Sequence, residues 1–250
     1  MRFKAYQLPM WMALVFWFVL WEIVGRLGIV LLIPPFTEVL VSMVEVVATP
    51  RFASAALTTL QAFAMGMAIS IVVGIALGVA MGRSKTFGEV MGMWANIFES
   101  SPLSAVVPLL MAVIGFGMPT MVVTVVLFSI WVIALDTQVG VRHASTSLVE
   151  MAHSFGARKR DLYGKVVFWA ALPEILAGIR LGLIRGVKGV IIGQLLIAIV
   201  GVGYLFELYS RNFLMPEFWA LILMVFAFAY GLGQIVGLIE KRIAFYAGSR

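Results

Sequence analysis

Residues 55–81 contain no charged side chain. A helix of that length matches the roughly 20 apolar residues needed to cross a ~30 Å hydrocarbon core. Comparable apolar stretches lie at about 10–30, 120–135, 174–200 and 218–239. A further one after residue 86 is interrupted at Glu99-Ser100-Ser101-Pro102 and again at Pro108. Only 12% of the residues are charged and the mean hydropathy is +1.06, whereas about a quarter are charged in soluble domains. A soluble helical core would lack the polar surface it requires. No alternating polar and apolar pattern of a membrane barrel is present. The sequence therefore predicts an all-α polytopic membrane protein, one transmembrane domain over residues 1–250 with about six spans.

The first apolar stretch follows Arg2 and Lys4 and continues too far for a cleaved leader, so it reads as a retained span. Trp11, Trp17 and Trp21 supply interfacial rings, and Pro34-Pro35 ends the span. Residues 37–48, with Glu38 and Glu45 among apolar neighbours and Thr37 as N-cap, read as a short helix on the outer membrane surface. In the second span Gly66, Ser70, Gly74, Gly78 and Gly82 recur every four residues, a small-residue stripe that admits a close neighbour. GRSKTFGE then reads as a short loop, GFGMP as a tight outer turn and GVGYLFELYSRNF as an outer loop. The interruption at 99–102 reads either as a broken helix lining a pathway or as a proline kink packed in the bundle. On the fifth span Gly178, Gly182, Gly186, Gly189 and Gly193 share one narrow arc.

Between the fourth and fifth spans lies the longest polar island, residues 147–173. Ser147 and Glu150 have capping-box spacing, which predicts a short helix carrying Met151, Ala152 and Phe155 on one face and stopping at Gly156. A second helix begins near Arg158. An amphipathic helix placed between spans offers an apolar ridge to a partner's groove.

Glu150, Ala152, Gly156 and Leu172-Pro173 resemble the EAA signature of ABC importer permeases. IPPFTEVL, the glycine run into GRSKTFGE, GFGMP and LAGIRLGLIRG are similar to the nitrate, sulfonate and taurine branch of that family. Met151 stands where the family usually has alanine, and Gln194 where relatives often have an acidic residue. The resemblance implies the type I importer permease fold, with a core at 53–245 and a cytoplasmic coupling loop at about 140–172. It also implies that Glu150, Met151, Ala152, Phe155, Gly156 and Ala157 dock on an ATP-hydrolysing partner. Two ATP-binding subunits, a second permease copy, identical or not, and an extracytoplasmic binding protein complete the implied assembly.

Lysine and arginine counts agree with such a topology. With the first residue inside, twelve cations fall on inner segments and three, Arg26, Arg51 and Arg211, on outer ones. The bias predicts an inner-membrane protein with both termini and the 147–173 segment in the cytoplasm. The net charge of +6 is thereby explained by topology rather than by nucleic acid.

No GxxxxGK[ST] phosphate loop occurs, so ATP and Mg²⁺ are expected on a partner chain and no cofactor on this one. With no cysteine and two histidines, His143 and His153, neither a thiolate site nor a metal cluster is expected. No nucleophile elbow indicates catalysis. Arg180, Arg185 and Lys188 lie within the fifth span, where a cation is costly. Two readings stand. Arg185 and Lys188, with Glu99, Ser100, Ser101 and Gln194, line a path for a small anionic solute, or the cations form structural ion pairs with Glu99 or Glu22. A secondary transporter or channel without an ATPase partner is the alternative function.

Overall fold

A computed structural model describes residues 10–144, 146–197 and 200–248; Arg2, Lys4 and Arg250, counted above, lie outside them. The described residues form helices and no strand. In order these are α1 (Met10–Arg26), α2 (Phe36–Val47), α3 (Pro50–Arg83), α4 (Lys85–Ser100), a 3₁₀ turn (Leu103–Val106), α5 (Val107–Ile114) and α6 (Met118–Arg142). There follow α7 (Thr146–Ser154), α8 (Lys159–Asp161), a π-helix (Leu162–Val167), α9 (Phe168–Ala170), α10 (Leu172–Ile197), α11 (Gly201–Arg211) and α12 (Met215–Gly248).

Among the described residues α3, α6 and α12 are single helices long and apolar enough to span a membrane. Two bent pairs raise the number to five: α4 with residues 103–114 at 90°, and residues 162–170 with α10 at 63°. The sixth expected span is α1. Its 17 residues make about 25 Å of helix, at the short end of what crosses a bilayer.

Helix α6 is the centre of the fold because two glycine stripes let α3 and α10 close on it. A Cβ at Gly66, Gly74, Gly78 or Gly82 of α3 would meet Val125, Ile133, Thr137 or Val141 of α6. Both series rise together, so α3 and α6 run parallel. From α10, Gly178, Gly182, Gly189 and Gly193 meet Asp136, Ile133, Phe128 and Thr124. That series falls, so α10 is antiparallel to α6. Met67, Met121, Val125, Ile133 and Val190 fill the space between the three helices.

Each end of the bundle carries its own apolar cap. At the end where α3 begins, Val46 of α2 packs with Phe206 and Tyr209 of α11 and Leu221 of α12, and the Trp219 indole N–H donates to the Leu32 carbonyl at 2.8 Å. At the opposite end Val141 of α6 packs with Ala152, Leu162, Val167, Ala171 and Ile175.

Several expected loops and caps are different in the structure. GRSKTFGE is not a loop: Ser84 alone separates α3 from α4, and its hydroxyl accepts the Phe87 amide at 3.3 Å as the cap of α4. The 201–211 part of the expected outer loop is helix α11, its Leu205, Phe206 and Tyr209 buried. Thr37 does not cap α2, which starts at Phe36 after Pro35. Its amide and hydroxyl instead donate to the Glu22 carboxylate, each at 2.9 Å. Since Glu22 also pairs with Arg26 at 2.6 Å, it belongs to the α1–α2 junction and not to the α10 cations. GFGMP is the expected turn, with Gly115 and Gly117 at φ 95° and 116°, values that a side chain would strain. The span after Ser84 is broken at Ser101-Pro102, whereas Pro108 sits in the first turn of α5, where its missing N–H interrupts nothing.

Candidate functional site

Two regions hold the residues of interest, and α10 connects them. The first is the 147–173 segment. Helix α7 starts at Thr146, so Ser147 lies inside its first turn and Glu150 is its fifth residue. The expected N-cap, Ser147, therefore lies one residue inside the helix, and Ser145 lies outside the described residues. The helix stops as expected. Gly156 takes φ 74°, the Gly156 amide donates to the His153 carbonyl at 2.9 Å and the Ala157 amide to the Ala152 carbonyl at 3.0 Å. These two bonds are the Schellman pattern that satisfies the last carbonyls of a helix.

The faces of α7 differ from the expected single apolar ridge. Ala152 is 6% exposed and packs inward against Leu162, Ala171 and Ile175, with Ala157 partly buried beside them. Met151 is 50% and Phe155 85% exposed, while Glu150 and Gly156 are exposed as well. The sequence-expected docking set thus splits: Ala152 and Ala157 hold α7 to the rest of the chain, and Met151 and Phe155 form the outward apolar ridge. His143 and His153 are exposed, and no group of metal-ligating residues occurs among the described residues.

Beyond Gly156 the chain turns into α8, where the Lys165 ammonium bonds Asp161 at 2.7 Å. The Arg83 guanidinium sits 4.5 Å above the Tyr163 ring, tying the end of α3 to the π-helix. Ala171 is fully buried at the 63° bend into α10. Ala152 of α7 and Ile175 of α10 thus belong to one apolar cluster, which Leu162, Val167 and Ala171 bridge.

The second region surrounds the break after α4. Arg185 of α10 is ion-paired with Glu99 in the last turn of α4, their side chains 42% and 20% exposed. Asp136 of α6 faces Gly178 of α10 and interacts electrostatically with both members of the pair. The ion pair expected between Arg185 and Glu99 is present. Lys188 is exposed and has no partner among the described residues. The expected Glu22 alternative is excluded by geometry, as described above.

Ser100 and Ser101 line an open groove of about 930 Å³ with Glu89, Gly92 and Asn96 of α4 and Gln138 of α6. Residues 88, 92, 96 and 100, glycine, glycine, asparagine and serine, fall on one helical face, a small and polar spacing that marks this wall in the sequence. Glu89, Asn96 and Gln138 join the wall without a local signal of their own, since the clearest mark of this stretch is its interruption and not its period.

Gln194 does not belong to the groove. It is fully buried, its Oε1 accepting from the Thr59 hydroxyl at 3.0 Å and the Gly203 amide at 3.1 Å, and its Nε2 lying 3.3 Å from Met121 Sδ. It is a polar clamp joining α10, α3 and α11. Three elements converging on one amide leave it no free face for a solute.

The model of the binding-protein-dependent transport system inner membrane component family matches residues 70–245. The chain is 27% identical over 151 residues to a riboflavin transport system permease protein of Chloroflexus aurantiacus, covering 60% of this chain and 56% of the relative. It is 26% identical over 148 residues to a putative aliphatic sulfonates transport permease protein of Escherichia coli, covering 59% and 56%. The match thus spans little more than half the length of either relative. In fold it is similar to the MetNI methionine ABC transporter in an inward facing conformation, with a TM-score of 0.67 and 17% identity over 77% of this chain and 96% of that one. Glycine-clasped spans, a short helix ending at Gly156 and a family match over most of the length agree: the chain belongs to the binding-protein-dependent transport system inner membrane components.

Proposed function

We propose that the chain is the membrane-spanning subunit of an ATP-driven ABC importer that conducts a small solute and is moved by a separate ATP-hydrolysing subunit. The observation that carries this reading is the Met151 and Phe155 ridge, exposed on a helix whose other face packs into the Leu162, Val167, Ala171 and Ile175 cluster. Met151 and Phe155, one helical turn apart, form a contiguous apolar patch among polar neighbours, as a protein contact requires. The absence of a phosphate loop in the sequence assigns ATP and Mg²⁺ to that partner.

One chain offers one such ridge, which supports a paired assembly: two permease copies, identical or related, two ATP-binding subunits and an extracytoplasmic binding protein. The groove beside Ser100 and Ser101 is the proposed wall of the solute path, closed by the second copy. Its polar lining suits a small polar solute. The positive field expected from Arg185 is answered by Glu99, which leaves Lys188 as the cation favouring an anion. The parallel α3 and α6 and antiparallel α10 support alternate crossing of the inner membrane, with both termini and α7 on the cytoplasmic side.

Co-purification tests the docking surface. Phe155→Asp should insert into the membrane in normal amount, since the side chain supports no internal packing. Association with the ATP-binding subunit should weaken about tenfold or more, the loss expected when one aromatic burial is removed. Undiminished association with Phe155→Asp would refute the docking surface.

A further inference from the structure

Besides α10, the C-terminal end of α3 also lies between the docking segment and the groove. Ile75, Val79 and Arg83 stand at i, i+4 and i+8 on α3 and so share one face. Ile75 and Val79 pack against the cluster of Ala152, Leu162 and Val167, and Tyr163 packs against the same cluster. Arg83 ends the stripe with its guanidinium carbon 4.5 Å from the centre of the Tyr163 ring, inside the roughly 6 Å over which a ring face attracts a cation. Among the described residues Arg83 has no ion pair, so the ring is what holds its head in place.

The π-turn puts Tyr163 there. Leu162 and Val167 would lie about 140° apart on an α-helix, yet both are buried, at 5% and 4% exposure. The wider turn of residues 162–167 brings i and i+5 onto one side and leaves Tyr163 half-buried at the edge of the cluster. One residue beyond Arg83 is Ser84, the junction at which α4 starts. The wall of the groove therefore leaves α3 directly after the side chain that the docking segment holds.

We propose that Arg83 and Tyr163 are positioning residues for transport: their contact is the joint through which the docking segment sets the direction of α4, and with it the wall of the groove. This role presupposes that α7 meets the ATP-binding subunit and that the groove carries solute. Neither residue touches the solute; both act through α4.

The test follows α4 in the complete assembly in vesicles. Gly92→Cys lies on the groove wall, where a Cβ meets nothing within 4 Å. It is labelled with monobromobimane in a chain otherwise free of cysteine, assembled with cysteine-free ATP-binding subunits. Trapping those subunits with ATP and vanadate should shift the bimane emission. Tyr163→Leu, which keeps apolar bulk, and Arg83→Gln, whose side chain is exposed, should each cut that shift about threefold, the factor carried by one part-exposed cation–π contact. Co-purification of the ATP-binding subunits and the amount of trapped nucleotide should stay unchanged. Tyr163→Phe and Arg83→Lys should keep most of the shift, and Tyr163→Leu combined with Arg83→Gln should lose no more than either change alone. A full shift in both single variants, losses that add in the double one, or a bimane that ignores trapping in the unaltered chain would each overturn the joint alone. Failure of the unaltered chain to retain subunits that trap nucleotide would instead overturn the importer reading, and the joint with it.

Discussion

Gly78 and Gly92 sit on consecutive helices and have opposite surroundings. A Cβ at Gly78 would lie 2.5 Å from the Ala134 carbonyl oxygen and from Thr137 Cβ, whereas one at Gly92 would meet nothing within 4 Å. Backbone cannot yield as a side chain does, so Gly78→Ala should cost about 1–3 kcal/mol and lower the unfolding temperature of the solubilised chain. Gly92→Ala should be neutral or gain roughly 0.5–1 kcal/mol from helix propensity. Equal shifts for the two variants would contradict the close packing of α3 on α6. The glycine stripes were legible in the sequence because a four-residue period survives without any neighbour being known. Which glycine touches backbone was not, since Gly78 and Gly92 belong to equally regular series. Gln194 was misplaced for a related reason: Thr59 and Gly203 reach it from distant parts of the chain, and no local pattern announces three elements meeting at one amide. On α7 both faces carry apolar residues, so periodicity could not reveal that Ala152 turns inward while Met151 and Phe155 turn out.

At the scale of the element, α4 is held at both ends, by Ser84 against α3 and by Glu99 against α10. The two accounts of Arg185 make different forecasts here. As a structural tie, Glu99→Gln and Arg185→Gln should each reduce solute uptake in the reconstituted assembly, and the exchange Glu99→Arg with Arg185→Glu should restore most of it. Because the pair is partly exposed, the loss should be modest, about tenfold. Failure of the exchange to rescue either single change would mean that the guanidinium acts on the solute directly. The break after α4 was legible from Pro102, and its 90° angle was not, because composition gives an interruption no direction. Helix α11 was missed for its glycines. Gly201 holds φ 75° at the start of the helix, and a Cβ at Gly203 would come within 2.4 Å of Gln194 Cβ, so both glycines serve its docking and neither breaks it.

The whole molecule is a clasp of α3 and α10 on α6 with an apolar cap at each end. Its relative directions follow from the contact register, and its sidedness can be tested directly because the chain has no cysteine. Ser154→Cys should react with a membrane-impermeant thiol reagent only in inside-out vesicles, and Ser210→Cys only in intact cells. The reverse pattern would overturn the proposed orientation. Up to five of the six expected spans, and their order, were legible from hydropathy, because a bilayer imposes length on any chain that crosses it. The clasp was not, since it depends on which stripes meet. The one-residue junction at Ser84 has a mechanical consequence. With no slack between them, α4 cannot slide along α3; it is left with a swing about Ser84 that takes the Glu99–Arg185 tie, and so α10, with it. Its 16 residues give an arm of about 24 Å, so a tilt of roughly 10° would carry the Ser100 end about 4 Å. A rotation barely measurable at the pivot would thus change the aperture at the far end by more than the width of a water molecule.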